Sequence, residues 1–177
     1  MIVSELNYHP EDEGKIDGDE FEFIELYNAY TTTLNLADSA FTEGITYTFP
    51  ATAAIGAGQY LLLVRNATEF ATRYPNVSVS HSYQGDFANT GEQLTLLDQD
   101  AQPIFSFTYS AQFPWPQEAA GAGYTLTRHD VESNPADPNE NCSWRASSDL
   151  YGSPATADSL PNGAGCELLY LPLLLFN

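Results

Sequence analysis

Carboxylates crowd the start of the chain, and calcium prefers oxygen ligands of this kind. Nine acidic residues fall from position 5 to position 25, and the one Lys or Arg among them is Lys15. If the strands that carry Glu5 and Glu25 pair, the two side chains face each other and repel, so a proton or a cation should sit between them. The pattern predicts a calcium site formed by Glu5, Asp19 and Glu25. A solvated acidic loop is the alternative, and the EF-hand spacing is absent.

A second candidate is the aromatic loop at residues 113–116, in which Phe113 and Trp115 alternate with prolines. Aromatic rings on a stiff loop can bind sugar rings or proline-rich chains. The alternative interpretation is a loop that folds back and fills the core.

The remaining residues that could do chemistry do not form a recognisable catalytic set. His9, His81 and His129 fall at strand ends or in loops, and no nucleophile, phosphate-binding or HExxH motif accompanies them. We predict that the chain is not an enzyme. A small hydrolase is the alternative, and it requires His81 or His129 to meet a carboxylate and a nucleophile in one cleft.

The two cysteines, Cys142 and Cys166, permit one disulfide that would tie the end of the chain to the domain. Closing a loop of this size stabilises a protein by about 3 kcal/mol in the chain-entropy model. There is no CxxC motif and no zinc spacing, so a metal–thiolate site is not expected.

The charge balance narrows the class of partner. Five basic residues stand against 24 acidic ones, for a net charge of −19 and a pI near 4.1. This surface repels nucleic acid and anionic lipid, because affinity for phosphate rests on Lys and Arg. It attracts cations or basic surfaces, or it serves only solubility or adaptation to salt.

The elements that must position these residues are short strands. Residues 20–28 predict a central strand with Phe21, Phe23 and Tyr27 on one face and Glu20, Glu22 and Asn28 on the wetter face. Glu25 then points with the apolar residues and needs a partner. Further strands are predicted at 2–8, 59–64 and 123–128, the last one in the chain, with a hairpin at 93–97 and 104–109. The single helix is predicted at 66–74.

Short strands separated by turns, with almost no helix, predict an antiparallel β-sandwich. We divide the chain into a sandwich at 1–154, a linker at 155–167 and an apolar segment at 168–177. That last segment is far shorter than the ~20 apolar residues that span a bilayer, so no membrane span is predicted. It is expected to dock on the sandwich or on a partner.

Several segments in this order resemble the lamin-tail domain. They are IVSELNYHP at 2–10, EFIELYN at 22–28, YTFP at 47–50, GAGQYLLLV at 56–64 and NTGEQLTL at 89–96. FPWP at 113–116 and SWRAS at 143–147 are similar to the bacterial branch of the family. The resemblance covers roughly residues 1–154. Where the family often reads Leu-Ser-Gly-Trp, residues 36–39 lack the Trp, and we expect Phe41 to take its place in the core.

The resemblance implies an immunoglobulin-like antiparallel β-sandwich with one short helix, acting as a non-catalytic module. Members of this kind are accessory parts of extracellular or cell-surface proteins. We therefore expect a structural or adhesive module of a bacterial secreted or surface protein. No signal peptide is visible, so the protein is either cytoplasmic or a domain excised from a longer chain, and we favour excision. Its partner would be another protein or neighbouring domains of a larger chain, without nucleic acid. A carbohydrate- or peptide-binding module using Trp115 is the alternative.

Overall fold

The computed structural model of the chain describes residues 1–79, 81–129, 131 and 137–159. It is an immunoglobulin-like antiparallel β-sandwich with one short helix, as predicted. The strands are β1 (Ile2–Asn7), β2 (Phe23–Tyr27), β3 (Leu34–Asn35), β4 (Ala40–Glu43), β5 (Tyr47–Thr48), β6 (Ala54–Ile55), β7 (Tyr60–Val64), β8 (His81–Ser82), β9 (Gln93–Leu97), β10 (Pro103–Thr108), β11 (Leu126–Arg128) and β12 (Trp144–Ala146), and the helix is α1 (Ala67–Arg73).

Two main sheets enclose the core. The six-stranded sheet has the order β12-β11-β1-β2-β7-β8, in which the β7–β8 pair is parallel, and the four-stranded sheet has the order β10-β9-β4-β5. A small third sheet pairs β3 with β6. One apolar cluster joins both main sheets, with Leu6 and Ile24 contributed by the first and Leu94 and Phe107 by the second. Phe41 is buried in this cluster, where we expected it.

The six-stranded sheet is also covered on its outer face, which explains the mixed pattern of β2. Ile24 and Leu26 point into the core between the sheets, while Phe23 belongs to a separate cluster with Leu62 and Phe70 of α1. Because side chains alternate along a strand, Glu25 shares the outer face with Phe23. The prediction that Glu25 points with the apolar residues and needs a partner is confirmed.

The helix begins and ends close to where the sequence predicts. The side chain of Asn66 accepts hydrogen bonds from the backbone N–H groups of Thr68 and Glu69, which caps the first turn. Phe70 is fully buried and packs against Phe23, so α1 closes this end of the outer face.

Two predictions about the strands are wrong. Glu22 and Asn28 do not lie on a wet face, because both are fully buried. Tyr83 and Phe87 close over Glu22. The strand predicted at 123–128 is not the last, because β12 pairs with β11 at the edge of the six-stranded sheet. The predicted hairpin is confirmed as β9 and β10, which pair antiparallel.

The chain continues to contact the sandwich beyond residue 154, where we predicted that the domain ends. Ala155 and Asp158, in the first part of the predicted 155–167 linker, hydrogen-bond or ion-pair with the six-stranded sheet. Residues 160–167 and the apolar segment 168–177 lie outside the described residues. No helix in the described part of the chain is long and apolar enough to cross a membrane.

Candidate functional site: a buried carboxyl pair under a strap

The two carboxylates predicted to face each other do so. Glu5 and Glu25 are direct partners across the β1–β2 ladder, and each is 1% exposed. On its other side Glu5 pairs with Thr127 of β11, which pairs in turn with Arg145 of β12. Glu25 pairs on its other side with Leu62 of β7. Two acidic groups therefore occupy the middle of a sheet face that is closed to solvent.

Glu5 is held by donors from two distant parts of the chain. Its carboxyl accepts a 2.5 Å hydrogen bond from the Thr125 hydroxyl, next to β11. It also accepts from the backbone N–H of Ser153 at 3.0 Å and from the Ser153 hydroxyl at 3.3 Å. The donors that the described part of the chain supplies to this buried carboxyl are neutral hydroxyl and backbone N–H groups.

Glu25 is held in the same way. Its Oε1 accepts from the Ser4 hydroxyl at 2.6 Å, and its Oε2 accepts from the backbone N–H of Ala155 at 2.5 Å. The N–H groups of Ser153 and Ala155 thus reach the two carboxyls from one segment, which we name the C-terminal strap and define as residues 148–159.

The C-terminal strap is fastened to the sheet at both sides of the pair. Asp158 forms a 2.9 Å ion pair with Arg145 of β12 and accepts a hydrogen bond from the N–H of Ser148. The Tyr74 hydroxyl at the end of α1 donates to the carbonyl of Tyr151 at 2.7 Å. Arg73 lies over the rings of Phe21 and Tyr151, which adds a cation–π contact.

Gly152 allows the strap to come this close. Its φ is +77°, and a Cβ at this position would stand 1.8 Å from Oε1 of Glu5 and 2.7 Å from a Thr125 methyl. Tyr151 and Ala155 also adopt left-handed backbone conformations, with φ of 70° and 68°. Such conformations cost an L-residue roughly 1–2 kcal/mol, so the strap is under strain on the sheet.

Burial sets the protonation of the pair. It raises the pKa of Glu5 to about 7, against the lowering effect of the Thr125 and Ser153 hydrogen bonds. It raises the pKa of Glu25 to about 8, and the neighbouring charge of Glu5 adds to that rise. Burial and the like-charge contact therefore both favour a protonated pair, which is one of the two solutions that the sequence left open.

Of the three residues predicted to bind calcium, the structure brings Glu5 and Glu25 together but places Asp19 elsewhere. Asp19 lies in the 3-10 helix Gly18–Phe21, where its backbone N–H is bound by the Asp17 side chain. Within residues 1–79, 81–129, 131 and 137–159, no group of three or more His, Cys, Asp or Glu side chains is placed to hold a metal ion. A cavity of about 40 Å³ borders the pair, lined also by Arg128, Arg145 and Asp158. Calcium at this site stays a prediction.

Glu22 forms a second buried acidic site that the sequence did not reveal. Its carboxyl accepts from the Tyr83 hydroxyl at 3.1 Å and from the Phe87 N–H at 3.0 Å. Burial raises the pKa of Glu22 to about 9. This site does not contact the C-terminal strap in the described contacts, so it provides an internal comparison for the Glu5–Glu25 pair.

The aromatic loop separates its two rings. Trp115 is half-buried, packs against the core and lies 6.4 Å from Trp144 between ring centroids. Phe113 is 84% exposed. The loop thus partly fills the core through Trp115 and presents Phe113 to solvent, and binding by either ring stays a prediction.

The histidines named for a hydrolase lie in separate surroundings. Nδ1 of His81 is 2.6 Å from the hydroxyl of Tyr47. His129 lies beside Arg128 and Arg145, and burial together with these two charges lowers its pKa. Among the described residues, neither His81 nor His129 has a carboxylate as a hydrogen-bond or ion-pair partner, so the hydrolase stays an alternative without support from these contacts. Cys142 lies in the 3-10 helix Asn141–Ser143, while Cys166 is outside the described residues, so their pairing stays a prediction.

The residues that the sequence did not single out are the donors of the strap. Ser153 and Ala155 are about 150 and 130 positions away from the carboxyls they contact, and no periodic pattern marks them. Gly152 is the one residue type there that signals a close backbone approach, and it could not be assigned to Glu5 without the fold.

Comparison with known proteins gives one family. The family model described as Lamin Tail Domain matches residues 1–111, which include β1 to β10 with both Glu5 and Glu25. No curated protein and no solved structure matches the chain. The immunoglobulin-like fold of this family is generally a non-catalytic module. Since the match covers well over half of the sequence and agrees with the sandwich described above, the chain belongs to the Lamin Tail Domain family.

Proposed function

We propose that the chain is a non-enzymatic interaction module of a secreted or cell-surface protein, and that it holds a neighbouring protein through Phe113. The observation that carries the proposal is the position of this ring, which is 84% exposed on a loop that packs against the core through Trp115. Large exposed aromatic side chains are enriched where proteins contact one another, because each buries much apolar area on binding.

The loop beneath Phe113 is fixed to the sandwich, so the ring is presented at little entropic cost. Nε2 of Gln117 donates to the carbonyls of Ala111 and Trp115, at 3.1 and 2.8 Å. Nδ2 of Asn141 donates to the carbonyl of Pro114 at 3.3 Å. A preorganised anchor loses less conformational freedom on binding than a mobile one does.

The charge of the chain supports a particular kind of neighbour. The chain has a net charge of −19. A partner surface that carries basic residues around an apolar pocket would therefore complement the charge of the chain and the ring of Phe113. Nucleic acid is not the partner, because its phosphates would be repelled.

An extracellular setting is part of the proposal and rests on the resemblance and on the predicted Cys142–Cys166 bond. Disulfides persist mainly in oxidising compartments. Fractionation of the producing cells tests it: the protein should be found in the medium or at the surface, and recovery only from the cytoplasm would contradict it.

Site-specific photo-crosslinking in the producing cells tests the contact. A photoreactive phenylalanine analogue at position 113 should give a discrete adduct with a partner protein. The same analogue at Tyr30, the other strongly exposed aromatic position at 59%, is the matched control and should not give that adduct. The absence of an adduct from position 113, or the same adducts from both positions, would overturn the proposal.

The carbohydrate alternative is less well supported because Trp115 is not an open platform. Its ring packs against the core and near Trp144, so a sugar could stack only on its exposed part. Titration of the protein with soluble glycans, followed by Trp fluorescence, should leave the emission unchanged. A saturable shift that Trp115→Phe removes would favour the carbohydrate function instead.

A further inference from the structure

We propose that the C-terminal strap is a pH-operated latch, which stays closed on the six-stranded sheet while the Glu5–Glu25 pair carries a proton and detaches when both carboxyls are charged. The inference is independent of the partner bound at Phe113. It starts from the register that places Glu5 opposite Glu25 on the outer face of the sheet.

The strap is what closes this part of the outer face. Ser153 and Ala155 place their N–H groups on the two carboxyls, and Thr156, Ala157 and Asp158 form the strap's side of the adjoining cavity. Without the strap, the carboxyls would meet water on an otherwise open sheet face. Closing the strap therefore removes solvent from both acidic groups at once.

Removing solvent from two opposed carboxylates is unfavourable when both are charged. Burial is the largest influence on each group and raises both pKa values, while the hydrogen bonds from the strap only partly oppose it. By linkage, if closing the strap favours the bound proton, then the bound proton favours the closed strap. A rise in pH therefore favours opening.

Charged and titratable groups of the strap and of β11, β12 and β7 surround the pair. Asp158 of the strap adds to the rise in the pKa of Glu5. Arg145 of β12 is paired with Asp158, and Arg128 of β11 lines the same cavity. On the β7 side, burial raises the pKa of Tyr60 to about 12, and the charge of Glu25 is the second cause of the rise. Tyr60 therefore stays neutral across the range in which the carboxyls ionise.

The backbone of the strap makes opening possible as a discrete event. Tyr151 and Ala155 hold left-handed conformations that they would lose on release, and Gly152 between them is a natural hinge. The closed form is thus strained, and its contacts with the carboxyls and with Arg145 hold it. A segment of this kind can exchange between two states without unfolding the sandwich.

Hydrogen exchange of individual amides, measured by NMR on the full chain, tests the latch. After correction for the intrinsic pH dependence of exchange, the protection of the Ser153 and Ala155 amides should fall more than tenfold between pH 6 and pH 9. Amides of β2 and β7 should stay better protected than these two at each pH, because the sandwich stays folded when the strap opens, and any loss that they show should match the fall in the free energy of unfolding. Unchanged protection of Ser153 and Ala155 over this range would overturn the proposal.

Two sets of variants assign the effect to the pair. In Glu5→Gln/Glu25→Gln the uncharged side chains should keep Ser153 and Ala155 protected at pH 9. Glu22→Gln is the matched control, since Glu22 is also buried with a raised pKa but does not contact the strap, and it should lose protection as the parent does. The single variant Glu25→Gln replaces the double variant if the latter does not fold. Equal loss in the parent and in the Gln variants of the pair would refute the latch.

Discussion

Glu5 and Glu25 are direct cross-strand partners in the middle of a closed sheet face, and a segment about 150 residues along the chain supplies backbone donors to both. Like charges at such positions destabilise a sheet. The structure therefore couples three features of the molecule: the register of β1 and β2, the protonation of the pair and the position of the C-terminal strap on the sheet.

The buried carboxyls give the stability a definite pH dependence. The folded-state pKa values of Glu5, Glu25 and Glu22, about 7, 8 and 9, lie above their unfolded value of 4.5. The folded state thus binds more protons between pH 4.5 and 9, and the free energy of unfolding should fall as pH rises, by about 1.4 kcal/mol per pH unit for each retained proton. Urea unfolding from pH 5 to pH 9 at constant ionic strength measures it. Stability that rises over this range would contradict the assignment.

A methyl group at Gly152 should displace the strap. Gly152→Ala would place a Cβ 1.8 Å from Glu5 Oε1, and we expect a loss of about 2–3 kcal/mol in the free energy of unfolding. Gly14→Ala is the matched control, because Gly14 also has a left-handed φ, +66°, but has no atom within 4 Å of the added methyl. It should cost only the backbone strain, roughly 1 kcal/mol. Equal losses in the two variants would show that the close approach to Glu5 is not needed.

Removing the ring of Trp144 and removing the ring of Phe113 should have very different effects on the stability of the protein. Trp144 is buried and stacks on Phe107 with 5.5 Å between ring centroids, so Trp144→Ala should cost about 3–5 kcal/mol. Phe113→Ala should change stability by less than about 0.5 kcal/mol, because the ring lies in solvent. Thermal unfolding of both variants provides the comparison. A large loss for Phe113→Ala would mean that the ring is structural and not a binding anchor.

Calcium should not be required for the Glu5–Glu25 contact. At pH 6 the pair holds its proton and accepts hydrogen bonds from neutral donors, so the unfolding midpoint should be the same with calcium and with chelator at matched ionic strength. An equal rise with any salt would report screening of the acidic surface. A rise specific to calcium, abolished by Glu25→Gln, would instead establish the metal site that the sequence predicted.

The predicted Cys142–Cys166 bond has its own test. Peptide mapping by mass spectrometry without reduction should show the two cysteine peptides joined. Reduction should lower the free energy of unfolding by about 3 kcal/mol or less. Two free thiols in protein purified without reductant would refute the pairing.

Local pattern was enough to predict β1, β2, β7, the β9–β10 hairpin, the helix and one half of the site. The alternation in β2 placed Glu25 among apolar side chains, and the pairing of β1 with β2 then brought Glu5 opposite to it. The same alternation failed for Glu22, since its burial depends on Tyr83 and Phe87, more than 60 residues away. The C-terminal strap was missed for the same reason: Ser153 and Ala155 act through backbone N–H groups, which carry no residue-type signal.

The latch and the pH dependence of stability both depend on the protonation of the Glu5–Glu25 pair, and the side-chain carboxyl carbons of the glutamates report it directly. A ¹³C NMR titration of the full chain from pH 3 to pH 10, assigned with Glu5→Gln and Glu25→Gln, should show the pair titrating well above the usual range of a glutamate. Midpoints near 4.5 for both would mean that two charged carboxylates face each other under the strap, and the proton-held latch would be wrong.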